Sequence, residues 1–317
     1  MSSDILNDLT QLDGVVGVLG SMNADYTVST ERLPKPGETV PGGSLEILPG
    51  GKSGNQAAAA AKLGVQVRMF GAVGQDRNGG FLKRCLSEAG VDVSAITEVP
   101  GPSGTTMITV DAKGENTIVY SAGANATLDL EWLSTIEKQL AEVPVLGLCL
   151  ETPMEVVEEA ARITHEAGGT VVLNDSPFIA KLPKKLIENA DVLIVNEHEA
   201  GQLLNMTVTD QADWDRVAWA MEAFGFSRSI ITLGAKGSVV LDGKDVTTIP
   251  SFKVKVRDTT GCGDSFMGTI LAALASGKTL VEAAQMASYV SSFAAARTGA
   301  QASYGTAVQV RAAFSEA

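Results

Sequence analysis

Residues 130–174 read LEWLSTIEKQLAEVPVLGLCLETPMEVVEEAARITHEAGGTVVLN, and this stretch decides the fold. It predicts helix Leu130–Ala141, strand Val145–Leu150, helix Met154–Ala167 and strand Thr170–Asn174. The strand segments are short apolar runs, as expected for strands buried on both faces of a parallel sheet. The rhythm continues with strand Val192–Asn196, helices Glu197–Leu204 and Asp213–Phe224, and strand Ser229–Leu233. Helices Asp264–Ala275 and Leu280–Arg297 follow. Toward the N-terminus lie strand Val15–Leu19, an alanine-rich helix Gln56–Leu63, strand Val67–Val73 and helix Gly79–Ala89. Strands alternating with helices predict an α/β fold: a doubly wound, mainly parallel sheet flanked by helices.

Two regions break the rhythm. Residues 25–50 are polar and proline-containing, with short alternating pieces. Thr105–Val110 and Asn116–Ser121 alternate around Asp111-Ala112-Lys113-Gly114, a hairpin signal. Segments 25–50 and 100–122 are expected to pair as a small sheet standing off the main body. Residues 1–13 read as a frayed tail or a short extra helix, and 14–317 as the α/β domain.

Composition narrows the function. The formal net charge of −13 argues against general nucleic-acid binding, which needs a basic surface. It leaves room for a small anionic ligand held by local donors. No apolar run approaches the length of a membrane span, and the polar, acidic Met1–Asp13 does not read as a secretory signal. Cys85, Cys149 and Cys262 are widely spaced and odd in number, so a disulfide framework or structural zinc site is not expected, and a reducing cytoplasm fits best. His165 and His198 sit in helix-like polar stretches and are not expected to be catalytic.

In open α/β sheets, ligands bind beyond the carboxyl ends of the strands. Asn23 and Asp25, Glu151, Asn174, Asn196–Glu199 and Gly234 all fall at or just after such ends. Each alone could be a turn former or helix cap; together they mark one edge. The second signal is Asp258-Thr259-Thr260-Gly261-Cys262-Gly263-Asp264, running straight into an apolar helix. A helix start offers unpaired N–H donors and the positive end of a dipole, and glycine allows close approach. The segment therefore reads either as a phosphate nest with Asp264 as a general base beside it or as a simple glycine turn before a helix. Gly50–Gln56 leads into the alanine-rich helix in the same way. It is not a P-loop, because Glu46 stands where that motif needs glycine. Gly14–Gly20 has the wrong spacing for a dinucleotide fingerprint.

Taken in order, Gly20–Asp25, Leu33–Thr39, Gly50–Ala57, Gly71–Gly79, Gly114–Asn116, Gly123–Asn125, Asn196–Glu199 and Asp258–Asp264 resemble the ribokinase-like (phosphofructokinase-B) carbohydrate kinases, from about Val15 to Ser303. The resemblance implies phosphoryl transfer from ATP to a sugar's primary hydroxyl. The first reading is D-ribose at its 5-hydroxyl, giving ribose 5-phosphate and ADP. The alternatives are deoxyribose, another pentose, a ketohexose or a nucleoside, or a non-catalytic sugar-binding regulator. It implies Asp264 as base, with the N–H groups of Gly261, Cys262 and Gly263 as the anion hole. Asn23, Asp25, Gly51, Lys52, Asn55 and Glu151, with Asp264, would bind the sugar. Thr232, Gly234, Gly237 and Ser288 would lie along ATP. Asn196 and Glu199 would help place Mg²⁺, Glu199 through water. Asp258, Thr260, Ala294, Arg297, Gly299 and Ser303 would surround K⁺, mostly through backbone oxygens. The small sheet would be a lid and the contact of a homodimer.

The chain departs from that pattern in places. Ser53 stands in Gly51-Lys52-Ser53-Gly54-Asn55 where the family usually has glycine, and Cys262 replaces an alanine, putting a thiol open to oxidation in the anion hole. Asn174-Asp175-Ser176-Pro177 replaces Asn-Pro-Ala-Pro, and Ser288 stands where asparagine is common.

Overall fold

The computed structural model describes residues 2–315. Its N-terminal segment is helix α1 (Ser2–Leu9), with Leu6, Leu9 and Leu12 buried in the core. Of the two readings of residues 1–13, the frayed tail is therefore corrected to a packed helix, because its leucines close the core. Residue 1 lies outside the described residues.

The chain then gives β1 (Val15–Leu19), β2 (Asn23–Ser29), β3 (Glu46–Gly50), α2 (Lys52–Lys62), β4 (Gln66–Gly74), α3 (Arg77–Glu88), β5 (Val91–Asp92), β6 (Ile96–Val99), β7 (Gly104–Val110) and β8 (Asn116–Ser121). Next come α4 (Leu130–Ala141), β9 (Val145–Leu148), α5 (Met154–Glu166), β10 (Thr170–Asn174), α6 (Lys184–Asn189), β11 (Val192–Asn196), α7 (Glu197–Leu204) and α8 (Trp214–Phe224). The last are β12 (Arg228–Thr232), β13 (Ser238–Asp242), β14 (Asp245–Ile249), α9 (Cys262–Ala275), α10 (Leu280–Ala295) and α11 (Ala307–Ser315).

The main sheet has the order β14-β13-β12-β11-β10-β9-β1-β4-β5, with β6 also on β4. It is parallel from β12 to β5 and antiparallel only at the β12-β13-β14 edge. The sequence reading missed that edge, although Asp242-Gly243 between two strand-like runs is a hairpin signal. β1 sits between β4 and β9, so successive strands leave it in opposite directions. A ligand crevice opens at such a reversal. Alternate side chains of each buried strand feed two cores. Val16, Val18 and Val172 pack with α2, α9 and α10, while Leu19, Leu148 and Leu173 pack with α4 and α5. β9 ends at Leu148 rather than Leu150, as Leu150 N leaves the sheet to donate to Ser176 O at 3.0 Å.

β3-β2-β7-β8 form the separate small sheet that fits a lid. It begins at Asn23, two residues before the expected boundary. Its outer strand β8 is exposed throughout.

The alanine run of α2 has a packing purpose. A Cβ built on Gly268 in α9 would lie 2.5 Å from Gln56 O and 2.8 Å from Ala59 Cβ. Only small residues permit this approach, and it holds the start of α2 beside the start of α9.

Candidate active site

Asn55 and Asp264 occupy the first turns of those two helices, so the close packing brings them into contact. Asn55 Nδ2 donates to Asp264 Oδ2 at 2.8 Å, and Gln56 Nε2 lies 3.5 Å from Oδ1. The Asp264 carboxyl keeps partial access to solvent, yet protein surrounds it closely. Burial raises its pKa to about 6, against the favourable Lys52 charge and the Asn55 hydrogen bond. It is thus an anion at neutral pH with enough basicity to accept a proton.

Lys52 is the cation of the site. Burial is the largest influence on it and opposes its charge. The carboxylates of Asp264, Glu151 and Glu199 together outweigh burial, and its pKa ends above the ordinary lysine value. Its backbone N–H donates to Glu151 Oε2 at 3.1 Å, where Ser21 Oγ also donates. Ser21 follows β1 and Glu151 follows β9, so this carboxylate spans the reversal of the sheet. Gly51 makes the turn possible: its φ is +84°, and a Cβ there would lie 2.8 Å from Asn23 N and Met22 Cα.

The lid supplies the facing wall. Asp25, Thr106, Tyr120 and Leu48 lie opposite one another on one lid face. Thr106 Oγ1 donates to Asp25 Oδ1, and burial lifts the Asp25 pKa to about 6. Gly50 leaves the space for that carboxyl, since a Cβ there would fall 1.9 Å from Asp25 Oδ2. The Asn23 side chain is buried and accepts from Asn125 Nδ2 at 2.8 Å. The Tyr120 hydroxyl reaches the Glu151 carbonyl at 3.5 Å.

On the other side of Asp264 lies a cleft of about 550 Å³. Thr232, Gly234, Gly237 and Ser288 line it, together with Cys262 and Gly263 from the start of α9. A polar, carboxylate-rich chamber under the lid and this cleft therefore share one wall, the N-terminus of α9. Gly261 caps that helix at φ +74°, its carbonyl held by the Tyr304 hydroxyl at 3.0 Å. Gly263 faces open space. The first turn of α9 borders the cleft; Cys262 N donates to Thr259 O at 3.2 Å, so Gly261 and Gly263 are the expected anion-hole residues whose N–H groups keep no backbone acceptor.

The sequence matches the pfkB family carbohydrate kinase over residues 15–307. The chain belongs to this family. It is 36% identical over 290 residues to a ribokinase of Haemophilus influenzae, covering 91% of this chain and 94% of that one. It is 34% identical over 308 residues to a ribokinase of Schizosaccharomyces pombe, covering 94% and 96% respectively. The structure of an Arabidopsis thaliana ribokinase complexed with ribose and ATP superposes with a TM-score of 0.86 at 27% identity, covering 94% of this chain and 99% of that one. The enzyme is a carbohydrate kinase.

Several expected residues gain a local explanation in this kinase. Asn196 and Glu199 form a capping box on α7: Asn196 Oδ1 accepts from His198 N and Glu199 N, and Glu199 Oε2 accepts from Asn196 N at 2.8 Å. Burial raises the Glu199 pKa, and Lys52 counters this. Asp258 accepts from Thr260 N at 2.9 Å and Gly299 N at 2.8 Å, tying together the two segments expected around K⁺. Burial disfavours its charge, but those hydrogen bonds prevail and hold its pKa below the usual range. The Arg297 guanidinium lies 3.3 Å from the Phe293 ring centre and donates to Phe293 O. Only the backbone of Arg297 is left for a cation.

The departures are absorbed as well. Ser53 Oγ lies 2.9 Å from Cys149 Sγ and 3.3 Å from Leu19 O, locking α2 to β1. The Cys262 thiol lines the cleft, but burial and the neighbouring Asp258 and Asp264 push its pKa to about 11. It stays protonated at neutral pH, which weakens the expectation of an oxidation-sensitive thiolate. Ser288 Oγ donates to Pro250 O at 2.7 Å, leaving an acceptor toward the cleft. His165 pairs with Asp191 at the opposite end of the sheet.

Sequence reasoning gave no role to Ser21, Gln56, Tyr120, Asn125 or Gln301, although Ser21, Gln56 and Asn125 lie inside the resembling motifs. The segment 251–256, which lines the cleft, alternates Phe252, Val254 and Val256 with Lys253 and Lys255 as a strand would, yet it forms none.

Proposed function

We propose that this kinase transfers the γ-phosphoryl group of ATP to the 5-hydroxyl of D-ribose, giving ribose 5-phosphate and ADP. The observation that carries this is Asp264, a basic, half-buried carboxylate standing where the polar chamber meets the helix N-terminus facing the cleft. The sugar lies in the chamber, its vicinal hydroxyls paired with Asn23, Asp25, Asn55 and Glu151, which offer both donors and acceptors. Asp264 accepts the proton of the 5-hydroxyl. The resulting oxygen forms its bond to the γ-phosphorus as the bond to the ADP oxygen breaks. The N–H groups of Gly261 and Gly263, joined by that of Cys262 once it parts from Thr259 O, receive the charge that develops, and Lys52 holds the carboxylates near it. The relatives named ribokinase support ribose as the acceptor.

Mg²⁺ and K⁺ belong to the same proposal. Glu199 spends one oxygen on its cap and keeps the other, which suits a water-mediated contact to Mg²⁺ on the nucleotide. A K⁺ ion beside Asp258, among backbone oxygens of Thr260, Ala294, Arg297, Gly299 and Ser303, would add positive charge behind the anion hole. Leu45, Ile47, Met107 and Val119 are exposed on the lid face turned away from Asp25, Thr106 and Tyr120, and a homodimer through that face would cover them. No helix of the described residues is long and apolar enough to cross a membrane, and a cytoplasmic site of action is part of the proposal.

The test is an ADP-release assay over ribose, deoxyribose, fructose and a nucleoside, in K⁺ and in Na⁺ buffer. The expected result is turnover greatest on ribose and faster in K⁺. Ribose binding without turnover would overturn the kinase step, and a preference for another acceptor would overturn the substrate.

A further inference from the structure

The Asn55 amide has two ends of nearly equal size but opposite hydrogen-bonding character. One end faces Asp264, which as an anion can only accept. The other end must therefore present oxygen, and it meets Gln301 Nε2 at 3.0 Å. Gln301 is buried and sits in the loop between Arg297 and Tyr304. That loop is strapped to the helix that carries Asn55: Lys62 Nζ donates to Gln301 O at 2.8 Å and to Tyr304 O at 3.0 Å. Asn55 and Lys62 are two turns apart on one face of α2, so the helix grips the loop at two points. The loop also reaches Asp258 through Gly299 and the cap of α9 through Tyr304.

We propose that Gln301 is a positioning residue for the base: it fixes the orientation of the Asn55 amide, so that a donor and not an acceptor faces Asp264. This rests on the reading of Asp264 as the base. Without Gln301 the amide is oriented from the Asp264 side alone and is freer to turn, so that part of the time its oxygen faces the carboxyl. That arrangement favours the protonated acid, which cannot take the sugar's proton. The loop expected around K⁺ is thereby coupled to the reacting end of the site through a single amide. The other ionisable groups around Asp264 are Lys52 from α2, Glu151 from the segment after β9, Cys262 on its own helix and Tyr304 from the same loop. None of these contacts Asn55 Oδ1 in place of Gln301.

Two near-isosteric substitutions separate orientation from packing. Gln301→Met removes the donor. Gln301→Glu replaces it with an acceptor, which can only pair with Asn55 Nδ2 and so turns the oxygen toward Asp264. A packing role predicts that Gln301→Glu, the closer match in shape, is the milder change. The proposal predicts the reverse. Gln301→Met loses a few-fold in kcat/KM at pH 7. Gln301→Glu loses about tenfold or more, and the acid limb of its pH profile moves up by about one unit. Infrared titration of the Asp264 carboxyl, taken as the difference from the matching Asp264→Asn background, reads the same shift without turnover. Its result stands even if the wild-type protein phosphorylates none of the sugars tried. With folding confirmed by thermal melting, the proposal is overturned by an unmoved Asp264 titration in Gln301→Glu, or by the same upward shift when Gln301→Glu is added to Asn55→Ala, where no amide remains to turn and only the added charge acts.

Discussion

The sugar chamber and the nucleotide cleft meet at one helix terminus but are built differently. The chamber is a polar cluster in which Ser21 and the Lys52 backbone N–H hold Glu151, Asn55 holds Asp264, and the Lys52 charge attracts both carboxylates. The cleft is lined by small residues and by apolar Phe252, Val254, Val256 and Phe266. Specific recognition of hydroxyls needs fixed donors and acceptors, whereas a phosphate chain and a flat base are served by backbone N–H groups and apolar walls. Chamber substitutions should therefore disturb chemistry and charge, and cleft substitutions mainly space.

The largest effect belongs to the chamber. Asp264→Asn keeps the shape and an acceptor for Asn55 but loses the base. Turnover is expected to fall by about 10²–10⁴-fold, while ribose binding measured by calorimetry stays within a few-fold. A residual rate within tenfold of wild type would place the base elsewhere.

The helix start they share gives a sharper contrast. A methyl on Gly263 meets nothing within 4 Å, so Gly263→Ala should melt like wild type yet lose about tenfold in turnover, because the methyl stands where a phosphate approaches. Gly261 has φ +74°, and its Cβ would lie 2.5 Å from the Tyr304 hydroxyl and 2.8 Å from Ala300 Cβ. Gly261→Ala should therefore cost at least about 1–2 kcal/mol of stability, seen in denaturant unfolding. Equal melting of the two variants would break the assignment of one glycine to fold and the other to function.

The smallest effect is one of stability. Asp264 has a folded pKa of about 6 against an ordinary 3.8, so the native state holds a proton that the unfolded chain has released. Stability then declines as pH rises from about 4 to 6 and stays lowered above. Asp264→Asn escapes this cost and should melt a few degrees higher than wild type at pH 8, with the gap closing toward pH 4. A variant that melts lower at pH 8 would mean the carboxylate stabilises the fold.

The same division explains what the sequence made legible. The α/β rhythm of residues 130–233 was readable because its strands are short apolar runs set between amphipathic helices; only α6, 6 residues long, was too short to stand out. Asp258–Asp264 and Gly50–Gln56 stood out because glycine beside charge before a helix is physically unusual. The β13-β14 edge was legible but overlooked: Asp242-Gly243 between two strand-like runs is a hairpin signal of the same kind as that before β8. Gln301 and Ser21 were hidden because a single buried amide or hydroxyl has no pattern; only the contact reveals the partner. Asn196 and Glu199 show the converse: the motif was visible, but its capping role emerged from the geometry. The N-terminal leucines were too few to distinguish a tail from a helix that closes the core.

The most direct test is kcat/KM for ribose against pH from 5 to 8, which reports groups of the free enzyme. The account predicts an acid limb centred close to pH 6, absent from the residual rate of Asp264→Asn. A limb near the ordinary carboxylate value, or one that persists in that variant, would contradict Asp264 as the base joining the two halves.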